Sequence, residues 1–100
     1  MDTTRRLTLI ACTHTQNESG LHIPADTRRD IFCRLTSVSA AEFFSAGREG
    51  MRPAWRALVF APDYHGERIA ELDGRRYSIY RTWHGCGEQV ELYLEEKAGI

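Results

Sequence analysis

From Phe60 to Lys97 the chain reads FAPDYHGERIAELDGRRYSIYRTWHGCGEQVELYLEEK, a run of short alternating segments cut by turn residues. Asp73-Gly74 stands between two of these segments, and an Asp-Gly pair readily supplies the two positive φ angles of a type I′ hairpin. In the last segment, Glu88–Glu95, Val90, Leu92 and Leu94 fall on one side while Glu91, Tyr93 and Glu95 fall on the other. A period of two repeated over consecutive segments predicts an antiparallel meander with one buried face.

The first half carries the same signal. Arg6–Thr13 alternates with Leu7, Leu9 and Ala11 on one face, and Thr27–Val38 with Ile31, Cys33 and Leu35 on one face and Phe32 on the other. Between them Thr15–Asp26 is polar and holds Asn17, Gly20 and Pro24, which predicts a long exposed β1–β2 loop. Ser39-Ala40-Ala41-Glu42 is a capping-box pattern, with Val38 and Phe43 at the staple positions. It predicts a helix of two to three turns ended by Gly47 or Gly50, with Phe43, Phe44 and Ala46 packed on the sheet. Pro53–Ala61, Glu67–Leu72 and Arg75–Trp83 complete the strands. The fold expected is mainly β: a small six-stranded antiparallel barrel or sandwich, with one short helix between strands 2 and 3 plugging an end or bridging an open corner.

One hundred residues fit one domain spanning 1–100, with little surface to spare for a deep cleft. A net charge of −1 argues against a dedicated nucleic-acid binder, whose affinity comes from excess Lys and Arg. Basic pairs nonetheless recur at Arg5-Arg6, Arg28-Arg29 and Arg75-Arg76, while acids gather at Glu91, Glu95 and Glu96. Such segregation suits edge-to-edge pairing of subunits and equally suits a solvated mixed surface. Three cysteines, a polar N-terminus and the lack of a long apolar run predict reduced thiols in the cytosol, without a membrane span.

The search for chemistry yields little. Cys12 and His14, with His84 and Cys86, supply the donors of a Cys2His2 zinc set, but neither half has the loop common in zinc knuckles. Cys12 reads instead as an ordinary strand thiol. No activated-nucleophile turn occurs, and His84-Gly85-Cys86-Gly87 lacks the helix and lysine of a phosphate loop. The expectation is a protein without enzymatic activity, cofactor or metal. Arg75, Arg76, Tyr77, Tyr80, Arg81 and Trp83 interleave bases with aromatics, as a single-strand-binding barrel does. Strict alternation, however, divides them between two faces: Tyr77, Ile79 and Arg81 against Ser78, Tyr80 and Thr82.

The order of segments also carries a family likeness. The opening RRLTLI, the middle R-x-IFC-x-L-x-SVS-x-x-EFF-x-AG, FAPDYHGE, E-x-DGRRYSIYRTW and VELYLEEK together resemble the head–tail joining (head-closure, or stopper) proteins of long-tailed bacteriophages. The likeness covers nearly the whole chain and rests on structural positions. It implies a non-catalytic β-barrel assembling as a homo-oligomeric ring in the bacterial cytoplasm and persisting at the virion head–tail interface. Portal and adaptor proteins would lie above it, tail proteins below, and packaged DNA would be close only within the channel. On that view Arg28, Arg29, Arg75, Arg76, Glu91 and Glu95 are candidate subunit contacts. Gln16, Asn17, Glu18 and His22, with Arg48, Glu49 and Arg52 of the Gly47–Pro53 segment, are candidates for neighbour contact or channel closure. A tail-terminator-type neck protein and a single-stranded nucleic-acid-binding barrel are the alternatives.

Overall fold

A computed structural model describes residues 4–16, 20, 22–85 and 87–96, with backbone alone at 12–16 and 22–25. The strands are β1 (Thr4–Gln16), β2 (His22–Thr36), β3 (Pro53–Phe60), β4 (Ile69–Leu72), β5 (Arg75–His84) and β6 (Gln89–Glu96). They close in the order β1-β2-β3-β6-β5-β4, every ladder among the described residues being antiparallel. Of the two architectures expected, the barrel is the one found. Closure removes the unpaired edges that an open sheet of such short strands would leave.

Alternation places the core as the sequence predicts. Leu7 and Leu9, Ile31, Cys33 and Leu35, Ala57 and Val59, and Val90, Leu92 and Leu94 all turn inward and are buried. Tyr77, Ala70 and Leu72 join them from β4 and β5. Cys33 is a free thiol, and its burial raises its pKa. At the β4–β5 turn Asp73 (φ 51°) and Gly74 (φ 80°) both sit in the left-handed region, the type I′ geometry that their dipeptide predicts.

The predicted Thr15–Asp26 loop is mostly strand. β1 and β2 pair without interruption from Thr4↔Arg34 to Gln16↔His22, leaving a connection only a few residues long. β1 meets β4 only over Thr8–Ile10, and β2 meets β3 only over Cys33–Thr36. From Ala11 to Gln16 and from His22 to Thr27 the two strands therefore pair with each other alone, as a two-stranded arm. Six such pairs extend roughly 20 Å beyond the barrel. The overall extents, 50 × 30 × 26 Å, and the radius of gyration, 15.0 Å, reflect this projection. A compact domain of this length would have a radius near 13 Å.

The helix α1 spans Ala40–Arg48. Ser39 caps it by accepting from the Glu42 amide at 3.1 Å, while Gly50 (φ 83°) follows its C-cap. The reciprocal half of the capping box is replaced: the Glu42 carboxylate points to β5 instead. Phe43 and Phe44 do not pack on the sheet. They stay 51% and 65% exposed, edge to face with each other, and only Ala46 of the helix is buried. No α1 residue joins the main core cluster, so the helix braces the wall from outside and does not plug the barrel.

Candidate functional site

The outer wall opposite the core carries a continuous polar belt built by one irregularity. Ile79 pairs with Leu94 but Arg81 pairs with Tyr93, so Tyr80 is the extra residue of a β-bulge. A bulge sets two residues of one strand against one of its neighbour. Tyr80 and Arg81 consequently both reach the Tyr93 side, and the strict alternation expected for β5 fails after Ile79. The Tyr80 hydroxyl donates to Glu42 Oε1 at 2.8 Å and Arg81 Nη2 to Glu42 Oε2 at 2.5 Å. Arg81 also lies 4.3 Å over the Tyr93 ring, a cation–π contact. Tyr93 donates to Glu91 at 3.0 Å, Glu91 faces Arg56 at 3.5 Å, and Arg56 Nε donates to Thr36 Oγ1 at 3.0 Å.

This belt ties α1, β5, β6, β3 and β2 together. Burial raises the pKa of Tyr80, and the carboxylate of Glu42 beside it raises it further. Tyr93 is raised in the same way, by burial and then by Glu91. Both phenols are thus held as proton donors to carboxylates. With Tyr77 in the core and Tyr80, Arg81 and Tyr93 engaged, β5 offers no ladder of free rings for stacking bases. Trp83, 58% exposed, is its one open aromatic.

A second cluster closes the barrel mouth at the root of the arm. Arg29 turns inward opposite Leu9 and donates to the Asp63 carbonyl at 2.6 Å and to Glu67 Oε2 at 2.7 Å. Glu67 is the buried charged residue among the described ones, and its other oxygen accepts from the His65 amide at 2.7 Å. Burial by itself would raise the Glu67 pKa; the hydrogen bonds from Arg29 and backbone amides outweigh it, and the net shift is downward. Tyr64 donates to the Glu67 carbonyl at 2.7 Å, which fixes the loop. Beside this pair lies a cavity of ≈ 520 Å³, floored by Ile10, Ala11 and Ile69 and walled by Arg29, His65 and Glu67.

The predicted subunit contacts are occupied within the chain. Arg28 pairs with Glu71 at 2.8 Å, Arg29 with Glu67, Arg75 with Glu96 at 3.4 Å, and Arg76 approaches Glu71 at 3.8 Å. Glu91 holds Tyr93 and Arg56, and Glu95 accepts from the Arg52 amide at 3.3 Å. Of the loop candidates, Gln16 and His22 end the arm strands, facing each other in register. Asn17 and Glu18 lie outside the described residues. Arg48 is the last residue of α1, and Glu49 and Arg52, both exposed, lie between it and β3.

Of the four candidate zinc donors, three lie on described backbone. The backbone of Cys12 and His14 runs in the arm, His84 ends β5 on the far side of β4, and Cys86 lies outside the described residues. Among the described residues no group of three or more His, Cys, Asp and Glu side chains is placed to hold a metal ion. None of their helices is long and apolar enough to cross a membrane.

Strand alternation in the sequence also marks one apolar surface outside the charge pairs. Phe32 faces away from Ile31 and Cys33, directly across from Arg6 and two residues before Arg34. Phe60 emerges beside it at the end of β3, after Val59 turns inward. Comparison with protein-family models, with curated proteins and with solved structures found no match to this chain.

Proposed function

We propose that this protein is a structural connector in the neck of a long-tailed bacteriophage or prophage. It closes the portal channel after DNA packaging and presents a docking surface for the tail. The observation that carries this reading is the joining of a closed, self-contained barrel to a projecting two-stranded arm. A two-stranded ribbon alone is marginal in water, and three or more strands or a packed face are needed to hold it. The barrel leaves the arm without that support, so a neighbour is the natural source of it.

On this reading the chain catalyses no reaction and assembles in the host cytoplasm as a ring, between portal and adaptor proteins above and tail proteins below. The ion pairs of Arg75 and Arg76 with Glu96 and Glu71 are exposed enough to exchange for a neighbour's carboxylates. Arg76→Glu then weakens ring assembly, and unchanged assembly removes this contact from the interface.

Electron microscopy of particles from an inducible parent phage lacking the gene tests the function. Packaged heads that lose DNA and stay separate from normal tails support head closure. Stable filled heads beside tails of aberrant length point instead to a tail terminator. Normal virions overturn the neck assignment.

A further inference from the structure

We infer that the outer face of β1, β2 and β3 is a protein-docking surface for a partner whose apolar contact is ringed by carboxylates. Phe32 is 66% exposed and Phe60 48% exposed, both on the side of the wall away from the core. Arg6 stands directly across from Phe32 in the β1–β2 ladder, and Arg34 lies two residues further along β2, beside Leu58. Residues opposed across strands lie about 5 Å apart, so rings and guanidinium groups form one patch.

The charge state of the patch points the same way. Arg5, Arg28, Arg29, Arg56, Arg75, Arg76 and Arg81 all have a carboxylate within reach. Arg6 and Arg34 have none among the described residues, although both are exposed. Arg48, Arg52 and Arg68 likewise have no carboxylate within reach among the described residues, but Arg6 and Arg34 stand together on one sheet face with two exposed phenyl rings, while Asp30 on that face accepts from Thr8 at 2.6 Å. Phenylalanine and arginine are both enriched at protein interfaces relative to the rest of the surface. Two positive forks flanking an apolar centre are complementary to carboxylates flanking an apolar insert.

This inference does not depend on the neck assignment, because it follows from the surface alone. The test is an NMR titration of the full, isotope-labelled chain with a random copolymer of glutamate and tyrosine. The expected result is chemical-shift change confined to residues around Arg6, Phe32, Arg34 and Phe60. Arg6→Glu/Arg34→Glu and Phe32→Ser/Phe60→Ser should each weaken binding about tenfold or more. These side chains are exposed, so the spectra of the variants report independently that the fold is kept. Shift changes elsewhere, or none, overturn the inference. Tighter binding of an oligothymidine to the same residues at the same ionic strength also overturns it, in favour of a single-strand-binding face.

Discussion

β1 and β2 each live in two environments. In their barrel halves, residues such as Leu7, Leu9, Ile31 and Cys33 are buried and the strands have neighbours on both sides. In the arm halves, Ala11–Gln16 and His22–Thr27, the same two strands continue their ladder with no third strand among the described residues. The hydrogen-bonded register is identical in kind, but the arm half lacks the second neighbouring strand that the barrel half has. Backbone pairing alone contributes little net free energy, since water satisfies the same groups in the unfolded chain. The difference teaches that the barrel is the folding unit, and that the arm follows its register without adding to its stability.

Substitutions along the gradient from barrel to arm sharpen this contrast. Leu92→Ala, at a fully buried core position, should cost about 2–5 kcal/mol in chemical denaturation. Glu67→Gln, at the mouth where barrel meets arm, should cost about 2 kcal/mol at neutral pH, because it leaves Arg29 short of its partner. The Glu67 carboxyl is depressed in the folded state, so its contribution is present above its ordinary value of 4.5. It is lost as pH falls through the lower folded value. The gap between wild type and variant should therefore narrow in acid, and a constant gap from neutral pH to below that value would show that the ion pair is not its source.

Smaller effects test the turns. Gly74→Ala, forced to keep a positive φ in the β4–β5 hairpin of the barrel, should cost about 1 kcal/mol by thermal melting. Replacing residues 13–25 by Asn-Gly closes the β1–β2 hairpin directly after the Cys12↔Asp26 pair. Stability should then change by less than about 0.5 kcal/mol, the range of alterations that touch no core contact. A loss comparable with that of Leu92→Ala would join the arm to the folding unit and break the comparison.

The same contrast explains what was legible in the sequence. Where one face is buried, alternation is written in side chains: Ile31-Phe32-Cys33 and Val90 to Leu94 announce both strand and face. In Thr15–Asp26 the alternation is confined to Leu21, Ile23 and Ala25, and the polar, Gly- and Pro-containing wording around it reads as loop. The arm's strands are recovered only from backbone register. The β5 bulge was hidden for a related reason. Nothing in RRYSIYRTW marks Tyr80 as the inserted residue; its place is set by the register that Ile79 and Arg81 take against β6.

Among site residues, the charge pairs were visible but their partners were not. Arg28 reaches Glu71 and Arg29 reaches Glu67 only because barrel closure brings β2, β4 and the preceding loop together. The helix shows the reverse error. Its Phe43 and Phe44 read as a core-facing side, but the buried core cluster is drawn from strand residues, and both rings stay exposed.

The most direct test of a self-sufficient barrel carrying an unsupported arm is amide hydrogen exchange on the dilute, purified full chain. The account predicts that hydrogen-bonded amides of Ala11–Gln16 and His22–Thr27 exchange at least roughly a hundredfold faster than those of Leu9, Val59 and Leu92, which open only with global unfolding. Equal protection in arm and barrel would contradict it, and would place the arm within the cooperative core.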